Sequence, residues 1–370
     1  MRRAALALVV ALAACASAPT VRSEQRPPPL PQMMLDFALA DPAGDDGGAR
    51  AQFLSVLGRE DLFEQAALET CSSLQRDGAN VDPVEELARL AIDHRVVIVS
   101  EAHDRPQHRA FISDLAARLR QDGFTTYAAE TFLPEVRAVR LWPSVADGTY
   151  SREPTFGALL RRMRGLNYRF AEYEDFSPPA PPEDDDWRAN IERRESIQAA
   201  NIQRILEENP DARLFIHVGL AHLLEQPDGQ GNIWMAQRLK EATGIDPLTV
   251  DQTRYTSSGD AFTLCDPAQT NTRVDYRIGA PLLTFENGRP AWRQRAGQHV
   301  TPVPAALLNP PFNTIIEARL RSEPDEAVPV DRLLLRPGDT LPLLLAPGRY
   351  RVESWTQEHG YSEPVEISVD

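Results

Sequence analysis

The chain has 370 residues, of which 42% are hydrophobic, so it is long enough to bury the cores of one large domain and a smaller one. Its formal net charge is −15, and this acidic balance excludes sequence-independent binding to nucleic acid, which needs a basic face. The 31 prolines are concentrated in segments that we interpret as linkers.

The first 15 residues have the features of an export signal. Arg2 and Arg3 form a positive start, and the apolar run at 4–14 is too short to span a bilayer. The L-A-A-C sequence at 12–15 resembles a bacterial lipobox, in which the chain is cut before the cysteine and the cysteine is lipidated. Because Ala16 is not an aspartate of the kind that retains lipoproteins at the inner membrane, we expect Cys15 to anchor the protein in the bacterial envelope, at the outer membrane facing the periplasm. An ordinary secretory signal with an incidental cysteine is the alternative, and it also predicts export.

Two further cysteines, Cys71 and Cys265, flank the segment that we interpret as the core of the chain. In an exported protein they can form a disulfide, which would tie the ends of that segment together. Two unpaired, buried thiols fit the sequence equally well.

The chain divides by composition into a signal at 1–15, a flexible proline-rich tether at 16–50 and an α/β domain at 51–300. Helical spacing predicts helices at 52–74 and 83–94, the second with Asp82 as its N-cap. Strands and helices then alternate, which is typical of a mainly parallel sheet flanked by helices. The strands are expected at 96–100, 125–129, 167–171, 213–217 and 247–250, and the helices at 106–121, 133–163, 187–208 and 230–242.

Short strands replace the helical signal in the last part of the chain. Val365, Ile367 and Val369 alternate with polar residues, and Pro-Gly pairs separate the segments. This pattern predicts a small all-β module at 305–370, similar to an Ig-like sandwich. Because the module contains no cluster of acids and histidines, we expect it to serve packing or docking. Its strands are expected at 313–320, 331–335, 341–345, 349–355 and 363–369.

Acids and histidines recur just after four strands of the predicted sheet. The carboxyl ends of parallel strands meet at one rim, where ligands of open α/β sheets bind, so we expect these side chains to share a site. A single acid after a strand is usually a helix cap, and a single histidine is usually a hydrogen-bonded polar residue. The hypothesis of a shared site therefore depends on acids and histidines occurring together after four strands of one sheet. The candidates are Glu101, His103, Glu130, Glu172, Glu174, His217 and His222.

The long helix predicted at 187–208 adds a second layer of candidates. Arg194, Gln198 and Asn201 follow i, i+4, i+7 spacing and therefore lie on one helix face. Such a face can hold a carboxylate or a developing oxyanion, although an ordinary solvated surface fits the same residues. His108 is a further candidate because it lies where the first strand turns into its helix.

The segment from Glu101 to His108 resembles the E-x-H-D-x-P-x-H segment of the ChaN haem-binding lipoproteins. Further motifs within 85–260 resemble a wider superfamily that includes erythromycin esterases and the Tiki/TraB metalloprotease-like proteins. Ser100 departs from the family's glycine before the glutamate, and the Glu–His spacing is shorter than in erythromycin esterases. The superfamily contains both hydrolases and haem binders, so the resemblance does not choose a function. The further motifs are Glu130 in an A-E-x-F setting, Arg194-Glu195 followed by Asn201, and Gly219-x-x-His222.

In the first hypothesis, the protein hydrolyses an ester or amide bond of a small-molecule or peptide substrate. His103 is the expected base, supported by Glu101 or Glu130, and Arg194 and His222 are expected to stabilise the oxyanion. A divalent metal held by two histidines and two glutamates is a variant of this mechanism. Because the spacing matches no compact motif such as H-E-x-x-H, no ion is assigned.

In the second hypothesis, the protein captures haem or iron at the outer membrane. This reading depends on the lipobox and on the ChaN-like segment. Haem would need an axial ligand, which the sequence does not identify. Under both hypotheses, we expect contact with the membrane through the lipid anchor and no binding to nucleic acid.

Overall fold

The computed structural model describes residues 30–40, 48–137, 141–177, 186–269 and 273–370. The expected signal at 1–15, with its lipidation site Cys15, lies outside the described residues, and so does much of the expected tether at 16–50. Of the helices in these described ranges, none combines the length and apolar character needed to cross a membrane.

Helices and strands are numbered here in chain order over the described residues. The helices are α1 (Leu30–Ala38), α2 (Gly48–Val56), α3 (Pro83–Ala91), α4 (Pro106–Gln121), α5 (Pro154–Gly165), α6 (Trp187–Glu208), α7 (Met235–Thr243) and α8 (Ala291–Arg295). The strands are β1 (Glu69–Thr70), β2 (Gln75–Arg76), β3 (Ala79–Asn80), β4 (Val96–Ser100), β5 (Phe124–Ala129), β6 (Arg169–Ala171), β7 (Arg213–Val218), β8 (Leu248–Thr256), β9 (Thr263–Leu264), β10 (Tyr276–Ala280), β11 (Phe285–Glu286), β12 (Arg289–Pro290), β13 (His299–Thr301), β14 (Thr314–Leu320), β15 (Asp331–Leu335), β16 (Leu343–Leu345), β17 (Gly348–Thr356), β18 (Gly360–Tyr361) and β19 (Val365–Val369).

The described chain forms two compact units. One unit is Ala66–Leu282, and the other combines the described residues before Ala66 with Leu283–Asp370. The first unit contains a mainly parallel sheet flanked by helices, and the second contains an antiparallel all-β region. The predicted fold class is therefore confirmed.

The sheet of the Ala66–Leu282 unit has the strand order β6-β5-β7-β4-β8-β10-β9, with β1 beside β8. Its strand pairs are parallel except for β9 with β10. In this register, His217 of β7 lies beside Val99 of β4 on one side and Ala129 of β5 on the other. Glu101 and Glu130, which follow those two neighbours, are thus placed on either side of the end of β7.

The apolar run of β4 is buried on both faces of the sheet. Val97 and Val99 pack in a core with residues of α3, α4 and α5, whereas Val96 and Ile98 pack with residues of α6 and α7. Each of the four side chains is at most 1% exposed. Full burial of one such side chain contributes roughly 1.5–3 kcal/mol to stability. Helices on both faces of the sheet also contribute side chains to the rim at the carboxyl ends of the strands.

Several predicted elements have the expected bounds. The strand at 96–100 and the helices at 106–121 and 187–208 are confirmed as β4, α4 and α6. Asp82 is confirmed as the N-cap of α3, because its carboxylate accepts the N–H groups of Val84 and Glu85.

Two predicted helices are too long. The helix expected at 52–74 ends at Val56, because the chain reverses at Gly58 with φ +65°. A Cβ on Gly58 would lie 2.3 Å from the carbonyl oxygen of Arg332, so the turn requires glycine. Of the helical region expected at 133–163, the structure contains a short 3₁₀ turn near its start, another at Tyr150–Arg152, and then α5.

The second unit is built on a sheet with the order β15-β14-β17-β18, in which β19 also pairs with β17. One face packs against the β16 side, where Leu343 and Leu345 are buried. The other face of this sheet packs against α1 and α2. The sequence predicted a flexible tether at 16–50 and the start of the α/β domain at 51, whereas these two helices belong to the unit of the C-terminal sheet. Both helices carry apolar side chains that the sheet removes from water. The residues of this shared core include Met34, Leu35, Leu54, Leu57, Ile315, Leu334 and Trp355.

Cys71 and Cys265 form a disulfide with a Cα–Cα distance of 5.5 Å. The bond closes a loop with a sequence separation of 194 residues and lies within the Ala66–Leu282 unit. Of the two alternatives that the sequence left open, the structure contains the bridge.

Candidate active site

Glu101 is the centre of a buried group of charges at the end of β4. Its carboxylate accepts two hydrogen bonds from Arg109, at 2.7 and 2.9 Å, and one from Nδ1 of His103 at 2.9 Å. Nε2 of His217 lies 3.0 Å from the second carboxylate oxygen. Burial alone would raise the pKa of Glu101, but Arg109, His217 and His103 together hold that pKa well below its ordinary value.

Arg109 connects Glu101 to α5. It donates to the carboxylate of Glu153 at 2.9 Å, and Glu153 in turn caps α5 by accepting the N–H groups of Thr155 and Phe156. Arg109 was not among the site residues predicted from the sequence, although a signal was present. An arginine on the apolar face of a helix is seldom buried unless it is paired. Arg109 shares that face with Ile112, Ala116 and Leu119, at i, i+3, i+7 and i+10.

His103 presents one ring nitrogen to Glu101 and keeps the other without a hydrogen-bond partner among the described residues. That second nitrogen, Nε2, is buried, while the whole side chain keeps 11% of its surface exposed. The ring stacks on Tyr150 at a centroid distance of 3.8 Å. Thr131 positions Tyr150 by accepting its N–H at 2.7 Å. The ring is therefore held on one edge and one face.

His217 supports Glu101 from the other side. Its Nδ1 lies 2.7 Å from the hydroxyl of Tyr127, and its ring stacks on Phe156 at 5.2 Å. Burial keeps the pKa of Tyr127 well above its ordinary value, so the hydroxyl keeps its proton. Nε2 of His217 faces Glu101.

Glu130 is the corresponding acid at the end of β5, and its partners come from the opposite face of the sheet. Its carboxylate accepts the N–H of Gly219 at 2.6 Å and a hydrogen bond from Arg194 at 2.8 Å. Nε2 of His222 lies 3.5 Å away. Burial alone would raise the pKa of Glu130, but His222 and Arg194 hold that pKa well below its ordinary value.

Gly219 allows the two acid–histidine groups to meet. A Cβ at this position would lie 2.8 Å from the carboxylate of Glu130 and 3.2 Å from Nε2 of His103. The first distance is a clash, and the second requires the ring to move. Any larger residue would therefore separate the groups that β4 and β5 bring together.

Arg194 holds two acids at once. It donates to the carboxylates of Glu130 and Glu174, and its remaining nitrogen faces His222 at 3.3 Å. Gln198 also donates to Glu174, and Asn201 donates to the carbonyl of that residue. The predicted face of α6 therefore points at the site and is not a solvated surface.

His222 is completely buried beside a second acid of α6. Its Nδ1 lies 2.9 Å from Glu195, which also accepts the N–H of Met235 at the start of α7. Burial alone would lower the pKa of His222, but Glu195 and Glu130 outweigh it and raise that pKa to about 10. Glu195 was not predicted as a site residue and belonged only to the Arg194-Glu195 motif. Its signal is an acid on the buried stripe of α6, with Ala199, Ile202 and Leu206 at i+4, i+7 and i+11.

These contacts change the roles expected of two residues. Arg194 and His222 were expected to stabilise an oxyanion, but the nitrogens of Arg194 are directed at Glu174, Glu130 and His222. Both nitrogens of His222 likewise face carboxylates. Their geometry is that of a clamp that positions Glu130.

Two other candidates lie outside the paired groups. His108 uses Nδ1 to accept the N–H of Ala102 at 3.1 Å, so it braces the turn after β4. Burial and the neighbouring Arg105 lower its pKa to about 3, which keeps the ring neutral. Glu172 is half-buried, and it is Glu174, two residues later, that contacts Arg194.

The groups meet at a small, partly open pocket with room for about one water molecule between the side chains. This is far below the range of about 300–1,000 Å³ that is typical of ligand pockets. The pocket therefore suits an attacking water and the reacting group at its mouth, and it is too small for a porphyrin. Its lining residues are Glu101, His103, Ala129, Glu130, Thr131, Tyr150, Phe156, His217 and Val218.

The described side chains do not fit a divalent metal. Within the described ranges, no group of three or more histidines, cysteines, aspartates or glutamates is arranged to hold an ion. The physical reason is that the carboxylates of Glu101 and Glu130 already face Arg109 and Arg194. The chemistry considered below therefore uses the side chains alone.

No protein-family profile matches the sequence, and no curated protein sequence is significantly similar to it. Distant likenesses exist among solved structures. The type III effector HopBA1 is 14% identical, with a TM-score of 0.38 over 57% of this chain and 98% of the effector. The RRSP effector domain of a MARTX toxin from Vibrio vulnificus is 13% identical, with a TM-score of 0.32 over 54% of this chain and 38% of the other. The C-terminal region of Pasteurella multocida toxin, described as having a thiol-protease-like catalytic triad, is 11% identical, with a TM-score of 0.30 over 78% and 46%.

Proposed function

We propose that this protein is a hydrolase of an ester or amide bond and that His103 is its general base. The observation that carries the proposal is the asymmetry of the His103 ring. Nδ1 is bound to the buried carboxylate of Glu101, whereas Nε2 faces the pocket without a hydrogen-bond partner among the described residues. A base must be held in one tautomer and must keep a lone pair for the proton that it removes.

The first step is removal of a proton from water by Nε2 of His103. Glu101 accepts the N–H of Nδ1, so it fixes the tautomer and stabilises the imidazolium ion that forms. Arg109 and His217 keep the carboxylate of Glu101 from rotating, because each contacts it from a different element. As this proton is removed, the water oxygen forms a bond to the carbonyl carbon. The imidazolium then gives the proton to the leaving oxygen or nitrogen as the bond between that atom and the carbonyl carbon breaks. General base catalysis of this kind typically contributes about 10²–10⁴-fold to the rate.

Glu130 is the second polar group at the pocket. Its carboxylate approaches Nε2 of His103 beside Gly219, so a water molecule held between them would donate one hydrogen to each. Arg194, His222 and Gly219 fix its orientation. We infer that Glu130 orients the attacking water and that His103 removes its proton.

The proposed place of action is the bacterial cell envelope, with Cys15 lipidated and the protein at the outer membrane facing the periplasm. The disulfide between Cys71 and Cys265 supports export, because disulfides persist in oxidising compartments. Fractionation of the wild type and of Cys15→Ser tests the anchor: the variant is expected to be released or unprocessed. Normal processing with unchanged membrane association would contradict it.

A panel of esters and peptides, assayed with the wild type and with His103→Ala, tests the function. We expect turnover by the wild type, with a loss of about 10²–10⁴-fold in the variant. His299→Ala is a matched control, since His299 is an exposed histidine in the other unit. Equal turnover by the wild type and His103→Ala would contradict the proposal. Haem titration belongs in the same experiment, because a Soret band without turnover would favour the haem-binding alternative.

A further inference from the structure

The charged side chains that face the pocket are acids. Glu101 and Glu130 line it, whereas their partners Arg109 and Arg194 bind them from positions outside the lining. Among the described residues that line the pocket, none is a lysine or an arginine. A group that enters the pocket therefore meets carboxylate oxygens before it meets any of these cations.

The pocket also presents a ring nitrogen that is without a hydrogen-bond partner in the described part of the chain. This nitrogen is Nε2 of His103, which is buried, while Nδ1 of the same ring is bound to Glu101. Lone pairs on Glu130 and His103 can be satisfied by N–H or O–H donors from a ligand, but not by a carboxylate or phosphate oxygen.

The contacts around the pocket join five carboxylates to two arginines and three histidines. Of these charged or titratable side chains, only two acids and two histidines line the pocket itself: Glu101, Glu130, His103 and His217. Charges interact strongly where water is excluded, and juxtaposed like charges oppose binding. The carboxylates are Glu101, Glu130, Glu153, Glu174 and Glu195, and the basic side chains are Arg109, Arg194, His103, His217 and His222.

From these observations we propose that the pocket accepts a cationic or uncharged, hydrogen-bond-donating group of the substrate and excludes an anionic one. The substrate class is then an amide, or an ester with an amine or amidine near the reacting bond, and not a phosphate ester or an ester of a dicarboxylic acid. This inference rests on the proposed function only in placing the reacting bond in this pocket.

Three small probes of the same shape test the charge preference directly. Acetamidinium, acetamide and acetate each have four heavy atoms, so they differ in charge and donors but scarcely in size. Binding to the whole protein is measured by NMR, from the imidazole shifts of His103. We expect acetamidinium to bind about tenfold or more tightly than acetate, with acetamide between them.

Two charge-removing variants identify the source of the preference. Glu130→Gln should reduce the ratio between acetamidinium and acetate, because it removes a carboxylate that lines the pocket. Glu85→Gln removes the same charge from an exposed position on α3 and should leave the ratio unchanged. If Glu130→Gln does not fold, the three probes on the wild type still decide the question. Acetate binding as tightly as acetamidinium, or more tightly, would overturn the proposal, as would three probes that give the same shifts or none.

The outcomes also separate this inference from the proposed function. A preference for acetamidinium without turnover of any ester or peptide would contradict the hydrolase and leave the charge preference standing. Turnover that acetate inhibits as well as acetamidinium does would contradict only the charge preference.

Discussion

The two faces of the sheet use the same residue types at the rim in opposite ways. On the α4–α5 face, His103 has one nitrogen bound to a single carboxylate and the other free of hydrogen bonds within the described structure. On the α6–α7 face, His222 lies between Glu195 and Glu130, and its pKa is raised to about 10. Two carboxylates in contact with one imidazole raise the pKa of His222, whereas His103 has a single carboxylate in hydrogen-bond contact and directs its other nitrogen at the pocket.

The comparison shows that a buried Glu–Arg–His group does not by itself identify the base. What distinguishes the two histidines is the number of carboxylates around each ring and whether a nitrogen faces the pocket. We therefore expect His103 to carry chemistry and His222 to carry stability. Four measurements test this difference in role between His103 and His222.

The largest effect is expected from His103→Ala. The value of kcat/KM should fall by about 10²–10⁴-fold, because the base is lost. The free energy of unfolding should fall less than in a variant of His222, since the acid that loses its hydrogen bond to His103, Glu101, keeps both hydrogen bonds from Arg109. Chemical denaturation and turnover of the same preparation check both statements. A large loss of stability with normal turnover would assign His103 to the structural group instead.

His222→Ala should have the opposite signature. It removes the ion-pair partner of the buried acid Glu195 and leaves Glu130 with Arg194 alone, and breaking a buried pair in this way costs about 3–5 kcal/mol. The free energy of unfolding from urea titration measures the loss, and His299→Ala serves again as the exposed control. Unchanged stability would mean that His222 is not the clamp described above.

The dependence of stability on pH should have its maximum near pH 6.5, the ordinary pKa of histidine. The pKa of His222 is raised to about 10 in the folded state, so its contribution is complete below about pH 6.5 and is lost as pH rises through 10. The pKa of His108 is lowered to about 3, so the unfolded chain binds the proton first and stability falls as pH decreases from about 6.5 to 3. The depressed pKa values of Glu101 and Glu130 steepen that acid loss, because these carboxylates must be protonated on unfolding.

Denaturation at a series of pH values measures the free energy of unfolding on the acid limb, below the maximum, and on the alkaline limb, above it. His222→Gln should reduce the loss of stability on the alkaline limb, and His108→Gln should reduce the loss on the acid limb. An alkaline limb that is unaltered in His222→Gln would contradict the assignment of the raised pKa to this residue.

The smallest effect is expected from Tyr127→Phe. The change removes the hydroxyl that is hydrogen-bonded to Nδ1 of His217 and leaves a buried ring nitrogen unpaired, at a cost of about 1–3 kcal/mol. Because His217 contacts Glu101, which orients His103, kcat should fall while KM stays close to the wild-type value. A rise in KM alone would show that Tyr127 acts on substrate binding and not on the acid–base group.

Much of the site could be located from the sequence because local patterns fix which residues end each strand. The apolar run before Glu101 predicted β4 with its correct bounds, and the periodicity of 187–208 predicted α6. With parallel strands, the residues after β4, β5 and β7 had to meet at one rim. The partners could not be predicted in the same way: Arg109 and Glu195 lie on helix stripes whose contacts depend on which sheet face each helix covers.

The sequence by itself therefore determined the α/β class, the main strands and helices around the rim, and the acids and histidines that gather there, because hydrophobic periodicity and strand ends are local properties. Tertiary structure decided that Cys71 bonds to Cys265, that α1 and α2 belong to the core of the C-terminal sheet, and that His103 and His222 have different partners. Each of these depends on burial and charge contributed by residues distant in the chain. A histidine becomes a base or a clamp according to the carboxylates that the fold places around it.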